Sequence, residues 1–185
     1  MYKGEPIKFQ CLICGQCCRD LLRENSGLIL GLALTRDEAK LFPQELISPA
    51  HGRGKSPLSI YAVTMYQLNV DVCPFLGRKN TCRIYDKRPL TCRRFPLVYS
   101  SDAMSNIIAP GTVCKFIKEI EDNLGYTLNY LFKPDTFLCD GCWQAHRTFA
   151  RLMERNKLDA RLEQMNRFNF NLQTKQWVEV PILTE

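Results

Sequence analysis

The sequence lacks several features that would place it in a common class of protein. It has no run of about 18 apolar residues, which excludes a typical transmembrane helix. Its start, MYKGEPIKFQC, has no apolar core of the kind found in secretory signal peptides, so we expect a cytoplasmic protein without a membrane partner. It also lacks a Ser-His-Asp order, a phosphate-binding glycine loop and a His-Glu-x-x-His motif, which removes the usual signatures of hydrolases, nucleotide-binding proteins and metalloproteases.

Cysteine, by contrast, is abundant, with ten in a chain of 185 residues. A cytoplasmic protein is kept reduced, so dense cysteine there indicates metal binding or thiol chemistry rather than disulfides. The length and the hydrophobic content of 45% are those of an ordinary soluble protein with its own core. We therefore expect a single domain over residues 1–185.

The charge gives little support for a nucleic-acid partner. The formal net charge is +6, and a basic protein can bind nucleic acid. Metal-bound cysteines are thiolates, however, and a four-thiolate zinc or iron–sulfur centre carries a charge of about −2. Two such centres would bring the net charge to about +2.

The residue patterns predict an α+β fold built from short elements. Thr35 and Glu38 have the spacing of a capping box and predict a helix over TRDEAKLFPQEL, which Pro43 inside this pattern can kink or end. Glycine, proline and serine predict an exposed loop over 48–59, and β-branched and aromatic residues predict a strand over 60–70.

The C-terminal part predicts longer elements. A helix is expected from residue 114 to a cap at Gly125, and the strongest helical periodicity covers 140–166. Alternating apolar residues then predict a hairpin that turns near QTKQ. We expect a small irregular domain organised by metal, with a cysteine-cluster core over 11–114 and a helix-and-hairpin extension over 115–185.

The stretch CLICGQCC carries the first metal signal. Cys11 and Cys14, followed by Gly15, fit a tight turn that presents both sulfurs to one metal. Cys17 extends the spacing to that of a bacterial ferredoxin, although the fourth cysteine of that motif is not local. In an extended chain Cys17 and Cys18 would point to opposite sides, which suggests two centres or one polynuclear centre; the alternative is that one of them is a buried small hydrophobe.

Further cysteines complete a recognisable pattern. The combination of CLICGQCC, CPFL, CRIYDKRPLTCRRFP and a later cysteine resembles the YkgJ-type cysteine-cluster family, described as a zinc- or iron-chelating domain. The resemblance runs from about residue 11 to residue 114. It implies that eight cysteines bind zinc or an iron–sulfur cluster: Cys11, Cys14, Cys17, Cys18, Cys73, Cys82, Cys92 and Cys114.

A second C-x2-C motif lies outside that core. Cys139 and Cys142 lie where the long predicted helix starts, and a helix N-terminus favours thiolates. They are predicted to be two more metal ligands or a redox-active pair; the alternative is a buried turn that caps the helix. His146, one helical turn later, is a third candidate ligand, although a histidine in such a place is more often an ordinary helix residue. We expect His51, in the glycine-rich segment, to be solvated.

Arginines surround the later cysteines. Arginine beside thiolates offsets their charge and donates hydrogen bonds to sulfur. Through the family resemblance, we expect Tyr85, Arg88 and Arg93 to lie around the metal ligands. The alternatives are an anion-binding site or a solvated basic loop.

Three functions remain open beyond metal binding. Closed zinc sites would make the protein a structural module for a protein partner. An iron–sulfur cluster would indicate electron transfer or a redox enzyme, including a methylase-like activity, since the larger flagellin lysine N-methylases look like carriers of a similar cluster. A zinc-stabilised nucleic-acid binder would bind more weakly as salt is raised.

Overall fold

The computed structural model describes four segments of the chain, which are residues 5–99, 106–108, 114–124 and 134–180. These segments divide into two compact units. We call Met1–Arg19 together with Phe75–Ala150 the cysteine unit, and Asp20–Pro74 together with Arg151–Glu185 the sheet unit. Cys73 belongs to the sheet unit, and the other nine cysteines belong to the cysteine unit. That the two units form the single domain predicted from the sequence stays a prediction.

Helices and strands are mixed along the chain, which confirms the α+β class. The strands are β1 (Ile7–Lys8), β2 (Arg23–Asn25), β3 (Leu28–Leu30), β4 (Ala33–Leu34), β5 (Ile47–Ser56), β6 (Ser59–Leu68), β7 (Leu97–Tyr99), β8 (Asn106–Ile108), β9 (Phe137–Leu138), β10 (Asn166–Asn171) and β11 (Gln176–Val180). The α-helices are α1 (Arg36–Ala39), α2 (Leu90–Arg93), α3 (Lys115–Leu124) and α4 (Cys142–Leu162). Short 3-10 helices lie at Gln16–Cys18, Gln44–Leu46, Arg78–Asn80 and Tyr85–Lys87. None of the helices in these segments combines the length and the apolar character needed to cross a bilayer.

The core of the cysteine unit forms around a short parallel strand pair. Strand β1 pairs with β9, with Ile7 opposite Phe137. Both side chains are buried in one cluster with residues of α3 and α4, including Ile117 and Trp143. The Trp143 indole N–H donates to the Phe137 carbonyl at 2.7 Å, which ties the start of α4 to β9.

The sheet unit has its own hydrophobic core under a five-stranded sheet. The strand order is β11-β10-β5-β6-β4, and every neighbouring pair is antiparallel. Met65, Leu68 and Phe168 are almost fully buried there. The buried Gln67 amide donates to the Pro49 and Phe170 carbonyls and accepts from the Gly31 N–H, so its polar atoms are satisfied. The core of this unit is therefore built from ordinary apolar side chains.

Several local predictions are confirmed. The Thr35 side chain accepts from the Glu38 N–H and the Glu38 side chain accepts from the Thr35 N–H, which is the predicted capping box. Strand β6, helices α3 and α4, and the β10–β11 hairpin lie where the patterns place them. The predicted cap at Gly125 lies outside the described residues.

Two predictions of local structure are wrong. The helix after Thr35 is a single turn, α1, which ends before Pro43 and is followed by the 3-10 helix Gln44–Leu46; Pro43 has no N–H to donate, so it cannot continue the helix. The segment 48–59, predicted to be an exposed loop, is mainly strand β5. Gly52 in β5 leaves room for the ring of Trp177, because a Cβ on residue 52 would lie only 2.9 Å from that ring.

We predict that Gly54→Ala destabilises the sheet unit. The added Cβ would collide with the backbone carbonyl of Ser59 on the neighbouring strand, which cannot move without disturbing the pairing. The expected loss is about 1–3 kcal/mol, the usual cost of overpacking. Urea unfolding followed by circular dichroism measures it. Lys55→Ala, at the exposed next residue, is the control and should stay within about 0.5 kcal/mol of the wild type. Equal midpoints for the two variants would contradict the steric explanation.

Candidate functional site

A cavity of ≈ 540 Å³ in the cysteine unit gathers most of the cysteines. Seven of the ten line it: Cys11, Cys14, Cys17, Cys92, Cys114, Cys139 and Cys142. Cys18 and Cys82 are described residues of the same unit but are not among the lining residues. The fold thus brings cysteines from both C-x2-C motifs, and two from between them, to one place.

The N-terminal cysteine loop is shaped by Gly15. Its φ of +74° is a left-handed conformation that favours glycine, as the sequence predicts for this turn. A side chain there would also meet Asn80, whose Cβ would be 2.9 Å from an added Cβ. Arg19 Nη2 donates to the Asn80 side-chain oxygen at 3.2 Å. These contacts hold the loop against the turn that precedes Cys82.

The cysteine doublet differs from its prediction. Cys17 and Cys18 lie in the 3-10 helix Gln16–Cys18, not in extended chain. Successive residues of a 3-10 helix are about a third of a turn apart, so the two side chains still diverge. Cys17 lines the cavity, and Cys18 does not.

Cys114 lies directly before α3, where helical N–H groups are available. The backbone N–H groups of Phe116 and Ile117 donate to its sulfur, which favours the thiolate. Burial outweighs this effect and raises the pKa of the thiol, and the charges of Cys14 and Cys11 raise it further. The thiolate of Cys114 therefore needs a compensating positive charge.

Cys139 and Cys142 form a disulfide, which differs from the expectation of reduced thiols. Gly141, with φ of +73°, makes the turn between them, and its carbonyl accepts from the Ala145 N–H in the first turn of α4. Cys142 is only 2% exposed, whereas Cys139 is partly exposed. The other eight cysteines form no disulfide. In this state neither sulfur of the pair is a thiolate.

Positive side chains also line the cavity. Lys8, Arg88 and Arg93 are among its lining residues, with Asp140 as an opposite charge. The Arg88 guanidinium lies 3.6 Å from the centre of the Tyr85 ring, and its Nε donates to the Tyr85 carbonyl at 2.8 Å. The structure thus brings Tyr85, Arg88 and Arg93 to the thiols, and their action on metal ligands stays a prediction.

Arg94 was not among the residues predicted to lie around the metal ligands, although it lies two residues after Cys92. Its Nε and Nη1 are buried and have no hydrogen-bond partner among the described residues. The guanidinium lies 4.2 Å from the centre of the Phe149 ring. Burial lowers its pKa to about 10, which the charge of Cys92 opposes. A buried cation of this kind calls for a nearby anion.

His146 is buried beside this arginine. It is 5% exposed, and its Nδ1 has no hydrogen-bond partner in the described part of the chain. Burial lowers the pKa of its imidazole to about 4, and the charges of Arg94 and Arg147 add to this effect. His146 is not among the residues that line the cavity.

His51 is not solvated as expected. It lies in strand β5, half-buried, and its Nδ1 is 2.7 Å from the Asn169 side-chain oxygen. Burial lowers its pKa, the hydrogen bond to Asn169 raises it, and the charge of Arg167 lowers it. It belongs to the sheet unit, where it contacts Asn169 of the neighbouring strand β10.

The cavity has the sulfur donor atoms that zinc and iron–sulfur clusters bind, but these atoms are not arranged around a metal position. Among the described residues, no group of three or more His, Cys, Asp or Glu side chains is arranged so that it could hold a metal ion. Thiolates are nevertheless the soft ligands that zinc and iron–sulfur clusters select. Metal binding would therefore draw the sulfurs around the cavity together, since metal sites of this kind commonly form together with local structure.

Comparison with known proteins agrees with the donor chemistry. A family model described as "CxxCxxCC: Putative zinc- or iron-chelating domain" matches residues 10–115. Eight of the ten cysteines lie in the matched range, and Cys139 and Cys142 lie beyond it. Neither the comparison with curated proteins nor that with solved structures gives a significant match.

We predict that His146 makes the protein less stable in acid. Between about pH 6.5 and pH 4 the unfolded chain protonates this histidine and the folded chain does not, so the free energy of unfolding falls as the pH falls. The loss is at most about 3 kcal/mol. Urea unfolding at about pH 7 and pH 5 tests this. His146→Gln, which cannot titrate, is the comparison and should lose less stability on acidification. An equal loss in both proteins would show that another group is responsible.

Proposed function

Because the chain belongs to the CxxCxxCC family of zinc- or iron-chelating domains, we propose that its cysteine unit binds a polynuclear metal–thiolate centre in the cysteine-lined cavity. The observation that carries this proposal is the convergence of cysteines that are far apart in sequence. Five of the eight cysteines in the matched region line the cavity, and they are its proposed ligands: Cys11, Cys14, Cys17, Cys92 and Cys114. Cys18, Cys73 and Cys82 are proposed as metal ligands on the family match alone and are not assigned to this cavity.

The number of thiols supports a centre with more than one metal ion. A structural zinc ion takes four ligands in a tetrahedral site. Five cysteines of the matched region already exceed that number at this cavity.

The surrounding charges support an anionic centre. Lys8, Arg88 and Arg93 line the cavity, and the buried guanidinium of Arg94 acts on the charge of Cys92. These cations would offset the charge of the gathered thiolates and favour their deprotonated, metal-binding form. When bound, zinc would supply a rigid anchor or a Lewis acid, and an iron–sulfur cluster would supply electron transfer. The cytoplasmic location and a protein partner stay predictions from the sequence.

We predict that Cys14→Ser and Cys82→Ser both lower the metal content and the melting temperature. Cys14 lines the cavity and Cys82 is proposed from the family match, so the pair tests both grounds for assigning ligands. Because metal binding is coupled to folding, each loss should lower the melting temperature by several degrees. Protein purified without oxygen is analysed for zinc, iron and sulfide, with a visible spectrum. An absorption band at about 400 nm would identify an iron–sulfur cluster, and a colourless protein with bound zinc would identify a zinc centre.

Leu12→Ser is the matched control for these variants. Leu12 lines the same cavity but has no donor sulfur, so its replacement should leave the metal content unchanged. Wild-type protein that holds neither zinc nor iron would overturn the proposed function. Full metal content in both cysteine variants would overturn the ligand assignment.

We predict that Arg94→Gln weakens metal binding and that Arg94→Lys largely preserves it. The first change removes a buried positive charge beside Cys92, and the second retains a charge. The expected loss is about 10–100-fold in affinity, the usual effect of groups that support metal ligands. Competition with a coloured chelator at fixed pH measures it. If the two variants bind metal equally well, the charge of Arg94 has no part in the site.

A further inference from the structure

We propose that Cys139 and Cys142 are an additional pair of metal ligands, outside the matched family region, which thiol–disulfide exchange switches on and off. In the disulfide form the two sulfurs are bonded to each other and withheld from metal. In the reduced form they would add two thiolates to the cavity. The inference rests on the proposed metal–thiolate centre and concerns how many ligands that centre has.

The position of the pair supports this inference. Strand pairing sets Lys8 opposite Leu138, and the Phe9 N–H donates to the Leu138 carbonyl at 2.7 Å. Cys139 follows Leu138 directly, so it enters the cavity beside the segment that leads to Cys11. Cys142 is buried in one apolar cluster with Cys114, and Cys139 packs against that cluster. The pair is thus built into the wall that the family cysteines also form.

A purely structural role explains the disulfide less well. It bridges two residues separated by only Asp140 and Gly141. A disulfide that closes so short a loop restricts the unfolded chain less than one that closes a long loop. It therefore adds less to the free energy of unfolding. The neighbouring thiols are what distinguish this bridge, because five further cysteines face the same cavity.

The exchange has a defined direction. An external dithiol would attack the sulfur of Cys139, which is partly exposed, rather than that of Cys142, which is 2% exposed. Cys142 would leave as a thiolate, which the N-terminus of α4 favours. The second thiol of the reagent then displaces Cys139 and becomes part of the reagent's own disulfide. Two electrons pass from the dithiol to the protein, and metal binding afterwards releases the thiol protons to solvent.

The test compares two forms of the wild-type protein. Denatured metal-free protein should show eight titratable thiols before treatment with a dithiol and ten afterwards. After the dithiol is removed by gel filtration without oxygen, each form is titrated with Co²⁺, whose absorption reports bound thiolate. The reduced form is expected to bind Co²⁺ at least about tenfold more tightly, because even groups that only support metal ligands change affinity by roughly 10–100-fold. Its sulfur-to-cobalt band should also be more intense.

Two further measurements make the assignment specific. The double variant Cys139→Ser/Cys142→Ser should bind Co²⁺ like the oxidised wild type, and the dithiol should not change its affinity. A second measurement needs no variant: Co²⁺ should protect Cys139 and Cys142 of the reduced wild type from alkylation by iodoacetamide, as read by peptide mass spectrometry. This protection keeps the test valid if the double variant fails to fold.

The outcomes separate this inference from the proposed function. Equal Co²⁺ affinity of the two wild-type forms, or unprotected Cys139 and Cys142, would overturn the switch and leave the metal centre intact. Ten titratable thiols in the untreated protein would overturn the switch as well. Failure of both forms to bind Co²⁺ would overturn the proposed function together with the inference that rests on it.

Discussion

The parallel pairing of β1 with β9 is the constraint on which the candidate site depends. Only two residues of each strand pair, and Ile7 and Phe137 bury their side chains in the core of the cysteine unit. Two parallel strands run in the same direction, so the chain leaves both at the same end. Cys11 follows one strand and Cys139 follows the other, and both line the cavity. Burial of apolar side chains thus brings together two cysteine motifs that the sequence places far apart.

The gathered groups are unfavourable when each is considered alone. Burial raises the pKa of Cys114 and lowers that of Arg94, because it disfavours the charged form of each side chain. Arg94 and His146 also hold buried nitrogen atoms without a hydrogen-bond partner among the described residues. Such groups are costly in a site that is only structural. An anionic metal–thiolate centre would make the buried arginine favourable, and the arginine would in turn favour the thiolates.

Local signals in the sequence were sufficient for much of the fold. The capping box at Thr35, the left-handed turn at Gly15 and the long helix α4 each depend on residues a few positions apart. The failures depend on distant contacts. The glycines of β5 look like loop residues, yet Gly52 makes room for a ring from another strand. Likewise, nothing in the arginine-rich segment distinguishes Arg94 from its neighbours, because its burial is decided by packing against Phe149 in α4.

The placement of Trp143 and Trp177 has a practical consequence. The chain has two tryptophans, and each unit contains one. Trp143 is buried with its indole N–H bonded in the cysteine unit, next in sequence to Cys142, whereas Trp177 lies over Gly52 in the sheet unit. Intrinsic fluorescence therefore contains two separable signals, and a single Trp→Phe replacement isolates either one. Quenching of Trp143 by a nearby coloured metal would be seen against an undisturbed reference in the same molecule.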